Sequence, residues 1–596
     1  MVGVREQWSR ELDYVLACVG NAIGLGNLWR FPYLCYASGG GAFLIPYFIM
    51  LLFTGLPLLY LEVSIGQYTR LGPVGAIKTL CPFFQGAGMG TVMLSFLFTT
   101  YYNVILAWSV YYMIASCFNP LPWSSCGNIW NTDNCWDSAV NDTSVKPNNS
   151  MTPTEEYYRY QVLNQSSGLE EQGDVVWPLV LLLLVSWILV YFSLFKGVKW
   201  TGKIVYFTAT FPYVVLIALL ARGLSLPGSM KGIDFYINPR WELLLDPKVW
   251  INAAAQNFNS IGIAFGSMIA FASYSKPESR IFRNSMIICA VNSATSVLAG
   301  FAVFSILGYI AFMQDDEVSK VVSQGPGLVF IVYPAAFSSL TYPTGQIFAF
   351  LFFFMLITLA VDSQLASVEC VITTVQDQFG YSLQKIFKRK EIIVLVFCLL
   401  TYLCGLPNVT QGGIYFFKLI DSYSSSLSLM LIAFFEVISV SWVYGARNLA
   451  DKVRIMTGRS VSFYWIVCWY AISPLFILAI LVFSYIQWTP ISLDDYEYPA
   501  WGHGIGWFLA GLSLVCIPIG MIKGVAESSG KHCWEKFLNS FRPLDNSYSP
   551  QSIQGNHDCK LQPVMVTTVY RQCSTEPSKQ CDPVTTVLDQ QLSTKI

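Results

Sequence analysis

An all-α membrane fold of about twelve transmembrane helices is what this sequence predicts, with two inverted five-helix repeats and broken helices 1 and 6. Three observations carry that expectation. Hydrophobic residues make up 54% of the chain against 12% charged, and mean hydropathy is +0.50, well outside the range of water-soluble domains. Apolar runs of about 20 residues, long enough to cross a bilayer, recur near 14–36, 41–66, 89–116, 176–194, 204–221, 250–273, 285–313, 346–372, 392–406, 413–444, 463–487 and 503–523. Two of these runs, the first and the sixth, carry residues that a continuous membrane helix does not favour.

In the first run, Gly20-Asn21-Ala22-Ile23-Gly24-Leu25-Gly26-Asn27 places glycines and asparagines at bilayer depth. Gly24 and Gly26 let the backbone leave the helix, and carbonyls freed there persist only against a polar partner such as a cation. Gln256-Asn257-Phe258-Asn259-Ser260-Ile261-Gly262 interrupts the sixth run in the same way. Spans one and six correspond if residues 14–221 and 250–444 are five-helix repeats of opposite orientation, which sets the two breaks facing each other at the midplane, as in secondary transporters.

The remaining elements follow in order. Residues 1–13 form the N-terminus. Lys and Arg cluster there (Arg5, Arg10) and in alternate connections, at Arg70 and Lys78, Lys196 to Lys203, Lys276 to Arg283, Lys385 to Lys390 and Arg447 to Arg459. By the excess of positive charge on the inner side, both termini are cytoplasmic. The loop 118–174 is then extracellular, and its sequons at Asn141, Asn148 and Asn164 read as glycosylation sites. Cys126 and Cys135 in that loop are expected to pair as a disulfide in an oxidising compartment. The sequon at Asn408 abuts membrane helices and is expected to stay unmodified. Residues 463–523 supply helices 11 and 12. The first apolar run is full-length and polar at Asn21 and Asn27, which argues against a cleaved signal peptide. From 524 to 596 the chain is rich in Ser, Thr, Gln and Pro, the composition of a disordered cytoplasmic tail. Its ending, Leu592 to Ile596, has the form of a PDZ-type ligand.

The run Asn21 to Tyr33, followed by Gly39 to Tyr47, Gly66 to Arg70, Leu359-Ala-Val-Asp362-Ser363-Gln364 and Gln411 to Tyr415, resembles the neurotransmitter:sodium symporter family. The resemblance runs from about Arg5 to about Lys523 and is strongest to the animal sodium- and chloride-dependent amino-acid transporters of broad neutral and cationic type. It implies sodium and chloride as coupled ions, an amino acid as substrate, a lipid-embedded chain in the plasma membrane and alternating access.

The resemblance also implies site residues. One sodium ion takes the Ala22 carbonyl, Asn27, Ser260 and Asn292, with the substrate carboxylate completing the shell. A second uses the carbonyls of Gly20, Ile23 and Leu359 with the side chains of Asp362 and Ser363, where a buried carboxylate is matched by a cation. Chloride is implied at Tyr47, Gln256, Ser260, Asn292 and Ser296, all donors and none acidic. Gate residues are Arg30 with Asp421 on the outer side, and Arg5 with Asp377, Trp8 and Tyr274 on the inner side.

Where amine carriers of the family have an aspartate, Asn21 is neutral and can only accept a hydrogen bond from an ammonium group, so the resemblance implies a substrate that brings its own carboxylate. Gly24 and Gly26 allow close backbone approach to that carboxylate, Tyr102 can donate to it, and Gly262, Phe265, Ser363 and Ser367 line the side-chain end beside Ser260. In one departure, Asn259 stands where the family places an aromatic lid on the sixth helix. Either Asn259 hydrogen-bonds a polar substrate, or Phe258 and Phe98 close over it.

Other functions fit less well. A transporter of GABA, taurine or glycine in the same family and a non-transporting ligand sensor both remain open at this point, whereas a ligand-gated channel would not need latches at both ends of one site. An enzyme is not expected: the three histidines, His503, His532 and His557, lie at or beyond the last span with no nucleophile and base pair, and nothing points to nucleic acid.

Overall fold

A computed structural model describes residues 5–137, 150–313, 318, 327–387, 389–424, 428–493 and 496–544. Asn141, Asn148 and the carboxy-terminal Leu592 to Ile596 lie outside the described residues. Among the described residues, ten helical segments are long and apolar enough to cross a membrane: Gly41–Thr69, Pro82–Ala115, Trp177–Leu194, Val198–Leu224, Ile281–Met313, Thr344–Gly380, Lys390–Val409, Leu429–Thr457, Phe463–Ile486 and Ala500–Glu527. The two expected spans missing from that set are the first and the sixth. Each is a pair of short helices, and neither half alone is long enough to cross.

The first span consists of Glu11–Ala22 and, beyond an irregular turn, Gly26–Arg30 running into Phe31–Ala37. The sixth consists of Pro247–Ile261 and Ser267–Ser273. The breaks are narrower than their polar composition suggests. Gln256, Asn257, Asn259 and Ser260 stay helical, and the interruption is confined to 262–266. Their side chains find partners without the backbone opening: Asn257 donates to the carbonyl of Tyr47 at 3.0 Å and Asn259 to that of Ala255 at 2.9 Å. The turn itself needs left-handed backbone at Gly262 (φ 79°), Ala264 (φ 62°) and Gly266 (φ 72°). Glycine meets this freely at two of the three positions.

The long helices Gln85–Ala115 and Thr344–Phe387 pack along each other and flank the broken pair. The fourth, ninth, eleventh and twelfth spans lie further out. Their apolar side chains are exposed, for example Leu181, Phe192, Leu399, Leu475, Phe508 and Ile522. In a bilayer that exposure is the favourable arrangement. Outside the spans, Cys126 and Cys135 form a disulfide. Glu156 anchors the same loop by accepting from Asn131 Nδ2 and the Thr132 amide, each at 3.0 Å. Asn164 is exposed and Asn408 is buried.

The boundary expected at 524 needs correction. The last span continues to Glu527, and a further helix, Cys533–Asn539, follows. Phe541 stacks on Phe83 at 4.4 Å between ring centroids, and Lys78 pairs with Glu527 at 2.7 Å. Partly buried aromatic contacts and this ion pair hold the stretch to the connection between the second and third spans although its composition is polar.

Candidate functional site

The two breaks meet. Asn21 Nδ2 donates to Ser267 Oγ at 3.0 Å, and Gln256 Nε2 donates to the Gly26 carbonyl at 3.2 Å. The amides freed by the first break are capped by side chains: Gly24 N–H donates to Asn27 Oδ1 at 3.2 Å and Leu25 N–H to the Tyr102 hydroxyl at 3.4 Å. In the sixth span, the Ala264 amide donates to Glu62 Oε1 at 2.7 Å. A backbone donor left unpaired at this depth would cost several kcal/mol, so these caps decide that the irregular turns persist.

Between the breaks lies a cavity of about 90 Å³. At roughly 10–15 Å³ per water-sized position, it has room for something under ten such positions. Every residue expected at the substrate site lines it: Asn21, Gly24, Gly26, Phe98, Tyr102, Asn259, Ser260, Gly262, Phe265, Ser363 and Ser367. Arg30 and Asp421, the residues expected at the outer gate, line it too. Tyr101 donates to Asp421 Oδ1 at 3.2 Å. Asn259 and Phe98 both line the cavity, Phe98 stacked on Tyr102 at 4.4 Å and edge-on to Phe265 at 5.3 Å, so of the pair Phe258 and Phe98 only Phe98 is placed to close over a substrate. Phe258 does not take part. It is 2% exposed, packed in the core, and does not line the cavity.

The residues implied for the second sodium site come together against the first break. A Cβ added at Gly20 would sit 2.6 Å from Asp362 Oδ2, so the carboxylate rests on glycine backbone. Ser363 Oγ donates toward the Asn21 carbonyl at 3.5 Å, and Ile23 and Leu359 share the wall of a small neighbouring cavity. Asp362 Oδ2 is buried and finds no hydrogen-bond partner among the described residues. A carboxylate oxygen in that condition fits a cation.

The other expected ion ligands form one neutral cluster. Asn292 Oδ1 accepts from Asn27 Nδ2 at 2.7 Å and from Ser260 Oγ at 2.8 Å, and Asn27 Nδ2 also reaches Ser296 Oγ at 2.9 Å. Tyr47 donates to Ser293 Oγ at 3.4 Å. Asn292 Nδ2 is a buried donor with no acceptor among the described residues. These residues fit an anion beside a cation, since they offer several donors and no carboxylate. Ala22 is fully buried at the same turn.

Among the residues expected at the inner gate, Arg5 Nη1 pairs with Asp377 Oδ1 at 2.8 Å and Nη2 donates to Ser273 Oγ at 2.7 Å. The guanidinium lies 4.7 Å from the Tyr274 ring centroid. Trp8 Nε1 donates to the Phe271 carbonyl at 3.0 Å, and Tyr274 donates to Glu369 Oε1 at 2.8 Å. Nearby, Glu11 accepts from Asn284 Nδ2 at 3.0 Å and from the Arg280 amide at 3.2 Å, and it pairs with Arg283 at 3.3 Å. The four residues expected at the inner gate are thus in mutual reach.

Sequence reading missed Glu62, Thr208, Ser267 and Ser293, as well as Trp29, Tyr101 and Phe417 in the cavity wall. Polar residues that stay helical give no sequence signal of which way they point. Only Glu62, a lone carboxylate in an apolar run, was open to the reasoning applied to Asp362.

Comparison with known proteins identifies the family. The chain is 44% identical over 561 residues to the sodium- and chloride-dependent GABA transporter ine of Drosophila melanogaster, covering 93% of this chain and 59% of the fly protein. It is 41% identical over 547 residues to the sodium- and chloride-dependent glycine transporter 2 of Xenopus laevis, covering 86% of this chain and 68% of that one. It is also 43% identical over 518 residues to the sodium- and chloride-dependent GABA transporter 2 of Rattus norvegicus, with 86% of each covered. None of these three is named as a broad neutral and cationic carrier, the type to which the motifs pointed. With residues 5–528 matching its profile, this multi-pass membrane chain belongs to the Sodium:neurotransmitter symporter family.

Proposed function

We propose that the chain couples sodium and chloride to the uptake of a small amino acid across the plasma membrane by alternating access, with both termini cytoplasmic. The observation that carries the reading is the pairing of Asp362 Oδ2, buried without a protein partner, with the neutral donor cluster of Asn27, Asn292 and Ser296 on the other side of the same break. Asp362, Ser363 and the carbonyls of Gly20, Ile23 and Leu359 would hold one sodium ion. The Ala22 carbonyl, Asn27, Ser260 and Asn292 would hold the other, with Tyr47, Gln256, Ser260, Asn292 and Ser296 around chloride. Each sodium entering down 100 mV contributes about 2.3 kcal/mol to accumulation.

A small substrate is favoured by the cavity of about 90 Å³ and by relatives named for GABA and glycine. Its ammonium group would face Asn21 and its carboxylate would face Tyr102 and the glycine backbone at Gly24 and Gly26. The alternation would be latched by Arg5 with Asp377 inside and Arg30 with Asp421 outside. Exposed Asn164 is the described sequon open to glycosylation, and a PDZ-type partner at the C-terminus is a further part of this reading.

Uptake by the purified protein in liposomes tests it. Glycine, GABA, taurine, leucine and lysine are offered under an inward sodium gradient, with chloride or gluconate. Accumulation of one of the small substrates, lost when choline replaces sodium and reduced in gluconate, is expected. Sodium-dependent binding without accumulation would make the chain a ligand sensor, and preferential uptake of leucine or lysine would overturn the small-substrate assignment.

A further inference from the structure

We infer that Thr208 is a positioning residue of the Asp362 sodium site. Its hydroxyl holds one carboxylate oxygen so that the other is presented to the ion. The inference rests on the proposed sodium role of Asp362 and adds to it a residue from a different span.

Thr208 is the last residue of the helix Val198–Thr208 in the fifth span, and the chain restarts as a helix at Phe211. Pro212 supplies no N–H, and the helical acceptor four residues before it is the Thr208 carbonyl. The helix therefore ends beside Asp362 for a covalent reason. A threonine at a helix end in an apolar span usually bonds the carbonyl four residues back. Here that contact, to Ile204, is 3.3 Å, whereas Thr208 Oγ1 lies 2.6 Å from Asp362 Oδ1. The shorter contact, to a carboxylate, has the length of a charge-assisted bond.

The consequence is asymmetric. Oδ1 is occupied, and Oδ2, set against Gly20, has no donor among the described residues. Without the hydroxyl, the carboxylate would lose the contact that fixes its rotation, and either oxygen could turn from the break. The same helix is tied to the inner half of the first span, since Tyr206 donates to Asp13 Oδ1 at 2.7 Å. A Cβ at Gly202 would meet the Asp13 side chain at 3.2 Å. Thr208 thus joins the carboxylate to the element that also grips the Glu11–Ala22 helix.

Full-length protein in nanodiscs tests this with Thr208→Val, which keeps the shape and removes the hydroxyl, Thr208→Ser, which keeps the hydroxyl, and Asp362→Asn. The readout is sodium-induced thermal stabilisation, titrated against choline without substrate. Substrate KM at saturating sodium is measured beside it. We expect Thr208→Val to raise the half-saturating sodium concentration about tenfold with KM changed less than twofold, Thr208→Ser to stay within twofold of the native protein, and Asp362→Asn to lose the response. In the Asp362→Asn background Thr208→Val should add nothing further. A Thr208→Val protein that titrates like the native one, while Asp362→Asn has lost the response, would overturn the role of Thr208 and leave the Asp362 site standing. A native response in Asp362→Asn would overturn both. If Thr208→Val does not fold, Thr208→Ala takes its place, and equal loss in Ser and Ala variants would reduce Thr208 to packing.

Discussion

The two proposed ion regions lie on either side of the same three-residue turn and are built on opposite plans. Around Asp362 a full negative charge is fixed in the chain, one oxygen is held by Thr208, and the other is left without a donor. Around Asn292 the hydrogen-bonded partners among the described residues, Asn27, Ser260 and Ser296, are all uncharged. The amides and hydroxyls satisfy one another through Asn292 Oδ1, and a buried donor, Asn292 Nδ2, is left over. A charge at bilayer depth costs at least about 2.5–3.5 kcal/mol unless matched. The first region therefore calls for a cation. The second can take a cation only if a negative charge arrives with it, and the substrate carboxylate and a mobile anion are the two candidates. On the proposed reading, the substrate- and chloride-dependent part of coupling would belong to the neutral side and the substrate-independent part to the Asp362 side.

The largest effect should come from removing the fixed charge. Asp362→Asn keeps the size of the side chain, and we expect sodium-driven uptake to fall by about 100-fold or more, since an uncharged amide is a far weaker partner for a buried cation. Cell-surface labelling shows whether the protein still reaches the membrane. Uptake with native sodium dependence would erase the contrast between the two regions.

Gly24→Ala should come next. A Cβ there would meet Ser363 Oγ at 2.7 Å and the Tyr102 hydroxyl at 3.3 Å, two residues that line the cavity. Crowding of this kind costs about 1–3 kcal/mol, so substrate half-saturation should rise by roughly tenfold or more while surface expression holds. Competition binding of the preferred substrate measures it, and unchanged affinity would place the substrate elsewhere.

How much of this was legible in the sequence depended on what each residue does to the backbone. Gly24 and Gly26 within an apolar run announced the first break, and Asp362 announced itself by its charge. Gln256 and Asn257 announced a break that the structure does not have there, because an amide that reaches a neighbouring carbonyl, as Asn257 reaches Tyr47, costs the helix nothing. Thr208, Ser267 and Ser293 were silent for the complementary reason: a hydroxyl on a membrane helix reads as self-satisfied until its neighbours are known. Glu62, which caps the Ala264 amide, was open to the same charge reasoning as Asp362 but lay outside the motifs. The small cavity, which bears on substrate size, depends on Trp29, Tyr101 and Phe417 converging from separate spans, and no local pattern encodes that convergence.

Supplying the neutral side with its own charge is a milder change. Ser296→Glu would set a carboxylate beside Asn27, whose Nδ2 lies 2.9 Å from the native hydroxyl. A fixed anion there should replace the mobile one. Uptake in gluconate should then retain about half or more of its rate in chloride, where the native protein loses most of it. Collapse in gluconate with normal expression would move the anion away from Ser296.

The smallest expected effect lies at the proposed inner latch. Asp377 accepts from Arg5 Nη1 at 2.8 Å and from the Gly72 amide at 2.6 Å. Asp377→Asn keeps an acceptor for one of these donors but gives up the ionic pair, a change worth roughly 0.5–1.5 kcal/mol near the aqueous face. Cytoplasmic access to the site should therefore rise only a few-fold. Ser367 lines the cavity, so Ser367→Cys in the native and Asp377→Asn backgrounds reports that access through the rate of alkylation by a reagent applied from the cytoplasmic side, read at position 367 by mass spectrometry. If the rate is unchanged, the Arg5 pair marks orientation without latching. A rise that saturating sodium suppresses would instead show that the Asp362 side and the inner latch respond to one equilibrium, as the link from Thr208 through Tyr206 to Asp13 implies.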